Sequence, residues 1–218
     1  MIATKTERIR FIAPAVIGGA LLLLAATIGG CPQTTADPND PNQVLKTKAT
    51  DHVESVGSPT LTVIEYGDFQ CSHCGDFFRQ TYATIKSNYV DAGKIRWVFR
   101  QFPLRQFHPQ AEIAAEASEC AAQQSDFFAY HDLLFSNQNA LLRENLISYA
   151  EQAGLDVDAF TTCLESGSEA ARVQADVDEG TILKVTGTPT FFIGKQKVVG
   201  FQDIASMSAL LDAALADQ

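Results

Sequence analysis

Beyond the first ten residues the chain gathers no Lys or Arg into a run or stripe. That argues against nucleic-acid binding and against electrostatic docking on anionic lipid. There is no second C-x-x-C and no H-x-x-x-H, so a four-ligand zinc site lacks its usual ligand set. No internal repeat is visible, and there are only four histidines and five cysteines. What remains is ordinary. The 218 residues are 46% apolar and 19% charged, the composition of a folded globular protein rather than a disordered one. The net charge is −10, with +2 in the first thirty residues and −12 in the rest. This acidity reads as solubility.

The N-terminus reads as an address. A short basic stretch precedes Phe11 to Gly30, twenty residues without a charge, the pattern of an n-region followed by an h-region. Ile28-Gly29-Gly30-Cys31 resembles a bacterial lipobox, with Cys31 as the lipidated residue. An uncleaved membrane anchor and cleavage after Ala36 are the alternatives. Each places the domain outside the cytoplasm, in the cell envelope or periplasm, where disulfides persist. Residues 31–50 are rich in Pro, Asn, Asp and Thr and read as a polar tether. The folded domain is expected over 51–218.

Secondary-structure signals follow in order. Thr60–Tyr66 is β-rich and apolar, and a helix with Phe77, Phe78, Tyr82, Ile85 and Tyr89 on one stripe comes next. Asp91–Lys94 is a turn, and Ile95–Arg100 a second strand. This strand–helix–strand order suggests a parallel crossover. A helical block spans about 104–184, with Pro109 in the first turn of one helix and Asp156 as an N-cap. Then come strands 190–193 and 196–200 around a Gly194-Lys195 turn, and a last helix at 203–216. The expected fold is α/β: a βαβ unit, a helical insertion, then a β-hairpin and helix.

Cys71-Ser72-His73-Cys74 sits where the first strand hands over to the helix. The pair can hold zinc or copper, close a structural disulfide, or exchange electrons. Exchange fits the position best. The thiolate reacts, and a helix N-terminus stabilises it through free N–H groups and the aligned dipole. His73 adds a protonatable neighbour. C-x-x-C thiols span pKa values from about 7 down to about 3.5, and a stabilised thiolate makes the disulfide a stronger oxidant. Cys71, at the exposed end, is the expected nucleophile, and Cys74, one turn in, the resolving thiol. Glu65, on the apolar strand, is the candidate proton acceptor, since burial raises a carboxyl pKa; the bland alternative is a salt-bridged strand-end carboxylate. Asp68 and Asp76 read as solvated charges, His108 and His131 as capping or packed residues. Phe69, Phe77 and Phe78 read mainly as core, with an apolar client rim as a further role. If Cys31 carries lipid, Cys120 and Cys163 are left to each other or stay as buried free thiols. Joined, they enclose 42 residues, a closure that stabilises by about 4 kcal/mol on the loop-entropy model.

Val63-Ile-Glu-Tyr-Gly-Asp-Phe-Gln-Cys-Ser-His-Cys74 and Val185-Thr-Gly-Thr-Pro-Thr-Phe-Phe192 resemble the DsbA-like thiol:disulfide oxidoreductases of the thioredoxin superfamily. Phe102-Pro-Leu, His108-Pro109 and Phe127–Leu134 resemble that group's helical insertion. The resemblance implies a thioredoxin fold over roughly 58–216 and a cis-proline at Pro189 packed beside the active disulfide. It implies client-peptide binding at Thr188, a buried acid at Glu65, and a second cysteine pair, Cys120 and Cys163, found in some members. It implies no cofactor beyond the redox-active disulfide. The partners implied are reduced or unfolded exported proteins and a membrane or soluble partner for reoxidation. A monomer is expected, since 31–57 is too short and polar for a dimerisation domain. Ser72 stands where the strongest oxidases of the group have proline, and Thr188 is shared with isomerases. The direction of exchange therefore stays open between oxidase and reductase or isomerase. A metal-binding lipoprotein and a binding module with a structural disulfide are the rivals from other classes.

Overall fold

The structure is a computed structural model and describes residue 40, residue 42, and residues 45–124 and 127–218. The readings of residues 1–39, Cys31 among them, lie outside the described residues. Among the described residues no helix is long and apolar enough to cross a membrane.

The core strands are β2, Leu61–Gly67, and β3, Ile95–Gln101, parallel and in register from Leu61 opposite Ile95 to Gly67 opposite Gln101. Both are apolar without strict alternation because both faces of the sheet are covered. On one face Val63, Trp97 and Phe99 join the main core; on the other, Ile64, Tyr66 and Val98 form a smaller cluster with Phe102, Leu183, Val185 and Phe192. Strand β4, Thr190–Ile193, runs antiparallel to β2, and β5, Gln196–Val199, closes that edge. Their tight turn uses Gly194 at φ 58°, a left-handed conformation that favours glycine. The far edge is β1, His52–Glu54, antiparallel to β3. The sequence reading missed it; three residues carry no periodic signal. The sheet order is β1-β3-β2-β4-β5, a thioredoxin fold.

The expected helix after β2 is one helical segment, α1, over 72–90, but it is not uniform. It opens as an α-helix, Ser72–Phe77, and includes two π-turns, Phe78–Tyr82 and Lys86–Val90. Each widens the step to five residues. Phe77 and Tyr82 therefore share the buried face, as do Ile85 and Val90, while Phe78 is only half-buried. A uniform 3.6-residue period would have put Phe78 on the stripe. Trp97, fully buried, packs on Phe77, Tyr82 and Phe191; a Trp→Ala change in such a core costs about 3–5 kcal/mol.

The insertion holds α2, Ala111–Ala122; α3, Phe127–Ser136; α4, Arg143–Gln152; and α5, Val157–Ser166. Helix α2 begins two residues after Pro109, which therefore lies ahead of the first turn. Asp156 caps α5, accepting from the N–H groups of Asp158 and Ala159 at 3.1 and 3.0 Å. Helix α6, Ala170–Ile182, was expected to be part of the insertion. It packs on the sheet as well as on α2: Val177 and Ile182 pack on the smaller cluster, and Asp176 accepts from Gln101 N at 3.0 Å. Helix α7, Ile204–Ala216, ends the chain.

The polar tether also ends earlier than its composition suggests. Leu45 packs on the smaller cluster. Arg100, fully buried, donates to Lys46 O at 2.9 Å and pairs with Asp51 at 2.9 Å. Lys48 pairs with Asp176 at 3.0 Å and Glu179 at 2.6 Å. Composition counts such charges as solvated; here the ion pairs fasten residues 45–51 to β3 and α6.

Candidate active site

The site is built where β2 ends. Asp68 is buried, contrary to its reading as a solvated charge, and it organises the turn. Its Oδ1 accepts from Gln70 N at 2.8 Å and Cys71 N at 3.2 Å. Its Oδ2 accepts from Leu104 N at 2.8 Å and meets His108 Nδ1 at 2.7 Å. A buried carboxylate is tolerable when its lone pairs are filled in this way. Asp68 thus ties the Cys71 turn to the loop after β3, and His108, read as a capping or packed residue, stands at the site. Asp76 does lie at the surface, paired with Arg79 at 2.9 Å.

Cys71 is the N-cap of α1, with extended backbone and its carbonyl accepting from Gly75 N at 3.1 Å. Cys71 and Cys74 are free thiols. Cys71 is less open than a helix start implies, 5% exposed against 1% for Cys74, because the peptide Thr188–Pro189 lies against it. That bond is cis. The Cys71 thiol donates to Thr188 O at 3.3 Å. The Thr188 hydroxyl is buried without a hydrogen-bond partner, so it is free to donate once the sulfur is charged.

The two thiols differ sharply. A hydrogen bond from Cys74, then one from Thr188, then the backbone N–H groups of Cys74 and His73, outweigh burial and pull Cys71 down to about 5. Burial, above all, and the hydrogen bond to Cys71 push Cys74 well above the usual thiol range. His73 is exposed, as is Ser72, and its contribution runs through its backbone N–H rather than its ring. Glu65 is buried on the face of β2 that bears Val63, opposite Phe99 and Phe191. Burial raises its pKa to about 8, with the charge of Cys71 adding to the rise; the Trp97 indole opposes it without reaching full hydrogen-bond geometry.

Cys120 on α2 and Cys163 on α5 form a disulfide, with Cα atoms 5.8 Å apart. His131 is packed among Phe69, Phe99 and Phe135, ring centroids 4.8–5.7 Å away. Phe69 and Phe77 are core. The exposed aromatic by the site is Phe107, 75% exposed. With Phe102, Leu104, Val185 and Thr186 it lines a groove of about 410 Å³. The sequence reading passed over it, although a Phe between polar residues after the Phe102-Pro-Leu segment was the available signal. No three His, Cys, Asp or Glu side chains converge as a metal cage among the described residues.

A low-pKa thiol at a helix start, a shielded partner one turn in, and a cis-proline beside them make an arrangement suited to dithiol–disulfide exchange on a thioredoxin fold. Residues 49–213 match the family model described as thioredoxin. The chain belongs to the thioredoxin family, as a DsbA-like thiol:disulfide oxidoreductase. It is similar to α-DsbA1 of Wolbachia pipientis at 26% identity and TM-score 0.72, covering 81% of this chain and 96% of that one. Oxidised BdbD of Bacillus subtilis shares the fold, at 21% identity and TM-score 0.70 over 76% of this chain and 93% of that one. Curated relatives include proteins named as Na(+)/H(+) antiporter NhaA 1 of Salinispora arenicola, 39% identical over 76% of this chain, and Na(+)/H(+) antiporter NhaA of Herminiimonas arsenicoxydans, 36% identical over 75%. The chain spans 25% of the length of each.

Proposed function

We propose that the chain is an exported, membrane-tethered thiol oxidase that donates a Cys71–Cys74 disulfide to reduced or unfolded proteins of the cell envelope. The observation that carries this reading is the asymmetry of the two thiols, Cys71 low and Cys74 high. A client thiolate attacks Cys71 Sγ; the client–Cys71 bond forms and the Cys71–Cys74 bond breaks. Cys74 leaves with the electron pair and takes a proton. Glu65, raised to about 8 and so protonated near neutral pH, supplies it; its charge coupling to both thiols supports this role. A second client thiolate then attacks the client sulfur, releasing Cys71 as a stable thiolate. The client is oxidised by two electrons and the enzyme reduced by two. A membrane or soluble redox partner then removes those electrons, and Glu65 takes the proton back from Cys74. The couple needs no further cofactor and works as a monomer. Lipidation at Cys31 supplies the tether.

Thr188 O, beside Cys71, suits backbone pairing with an extended client, and the Phe107 groove suits an apolar client segment. The antiporter names belong to proteins of which this chain spans a quarter, and no ion transport is proposed from them. The reductase or isomerase reading draws on Ser72 and Thr188, and the reduction potential decides between the two. Equilibration with glutathione should give a value toward the oxidising end of the family scale, around −120 mV. A value near −270 mV would overturn the oxidase direction.

A further inference from the structure

The helical insertion touches the active-site turn at several points, His131 and Phe135 packing on Phe69 and His108 meeting Asp68, and Gln138 reaches its backbone carbonyls. Gln138 stands between α3 and α4. Its Nε2 donates to Phe69 O and to Cys71 O, both at 2.9 Å. Its Oε1 accepts from Arg79 Nη1 at 3.0 Å, and Arg79 Nη2 pairs with Asp76 at 2.9 Å. Both donor directions and the acceptor of the amide are thus used. Gly75 supplies an independent observation. A Cβ there would fall 1.6 Å from Gln138 Oε1 and 2.7 Å from Arg79 Nη1. The amide therefore occupies the space that any larger residue at position 75 would fill. The oxygen it holds is the one that opens α1, since Cys71 O also accepts from Gly75 N at 3.1 Å.

We infer that Gln138 is a positioning residue through which the helical insertion fixes the active-site turn and keeps the first N–H groups of α1 aimed at Cys71. Asp68 holds the N–H side of Cys71 and Gln138 holds its carbonyl side, so the residue is gripped at both backbone polar groups. Arg79 keeps the amide in orientation from within α1 itself. The insertion then has a chemical role: it sets the thiolate of a residue it does not contain. This inference rests on the reading of Cys71 as the exchanging thiol.

The test is the Cys71 thiol pKa, followed by thiolate absorbance in the reduced protein, together with the rate of iodoacetamide trapping under acidic conditions. Gln138→Ala should raise the pKa by about one unit toward the ordinary thiol range and slow acidic trapping several-fold. Gln138→Glu keeps an acceptor for Arg79 but cannot donate, so it should shift the pKa at least as far. Gly75→Ala, in a helix that otherwise welcomes alanine, should reproduce the shift by expelling the amide. Adding Gln138→Ala to Gly75→Ala should then add little, the mark of two changes acting on one contact. If Gln138→Ala does not fold, Gln138→Glu and Gly75→Ala carry the test. A low Cys71 pKa that persists in the folded variants overturns the assignment of Gln138 alone. An ordinary pKa in the unaltered protein removes the exchange reading itself, and this inference with it.

Discussion

The chain carries two cysteine pairs in opposite chemical states, and the difference lies in what surrounds each sulfur. Cys120 and Cys163 join α2 to α5 within the insertion, where the sulfurs bond each other and Cys163 Sγ also meets the Ser168 hydroxyl at 3.4 Å. The bond ties one helix to another away from the exchanging pair, the position of a brace. Cys71 and Cys74 stand at a helix start, and the environment treats the two sulfurs unequally. One is given donors; the other is raised by burial first, then by its hydrogen bond to Cys71 and the charges of Cys71 and Glu65. A pair that is to open and close needs one sulfur content as an anion and one that is not. Spacing alone does not produce this. It comes first from the Cys74 thiol, then from Thr188 and from the N–H groups of α1, in the turn that Asp68 holds.

The sharpest way to break the comparison is to remove each pair in turn. Cys71→Ser should lose dithiol exchange to background while keeping most of its stability. Cys120→Ala with Cys163→Ala should keep the reduction potential of the Cys71–Cys74 couple and lose about 4 kcal/mol of unfolding free energy, the loop-closure value for the enclosed segment. Insulin reduction or scrambled-client oxidation, with denaturant unfolding alongside, reads both. If the Cys120–Cys163 variant shifted the potential while Cys71→Ser still exchanged, the assignment of roles would be reversed.

How far the sequence reading reached follows the same division. The β2–α1 junction, the hairpin at Gly194 and the cap at Asp156 were legible because each rests on a local signal: an apolar run, a turn glycine, an N-cap oxygen. Cys71, Cys74, Glu65, Thr188 and Pro189 were legible as a set because spacing and resemblance agreed. The failures share a cause. Asp68, Lys48 and Asp51 are charged residues whose partners lie far along the chain, at Leu104, His108, Asp176 and Arg100. Taken singly, a charge looks solvated; only the fold brings its partner. Gln138 was invisible for the same reason, its contacts being 59 to 69 residues away. The π-turns of α1 were hidden because a stripe with mixed three-, four- and five-residue steps still looks helical.

The comparison can be sharpened at Glu65, the buried acid that serves the reactive pair. Its folded pKa of about 8 lies above its ordinary value of 4.5. The folded state thus binds this proton more tightly than the unfolded state does. Stability from this residue is full below 4.5, falls as pH rises through the window from 4.5 to 8, and is flat above it. Glu65→Gln cannot titrate. It should match the unaltered protein at pH near 4 and become the more stable of the two by pH 8, by on the order of 3 kcal/mol. Urea unfolding across that range measures it, best in the oxidised protein, where the Cys71 charge no longer adds to the rise. The same variant should slow client oxidation several-fold near neutral pH, because Cys74 then leaves without its proton donor. Parallel stability curves for the two proteins would mean that Glu65 is not buried as a protonated acid.

The smallest effect, and the most selective, is expected at Phe107. Its ring is mostly exposed and lines a groove with Phe102, Leu104, Val185 and Thr186. An exposed aromatic lining a groove can contact an apolar client segment. Phe107→Ser removes apolar contact area without disturbing the core, so the melting temperature should hold and exchange with a small dithiol should be unchanged. Oxidation of an unfolded protein client should show a KM raised several-fold with kcat nearly constant, the signature of lost uniform binding rather than lost chemistry. A fall in kcat toward the small dithiol would instead place Phe107 among the groups that shape the thiols, and would tie the groove to the reactive pair rather than to its clients.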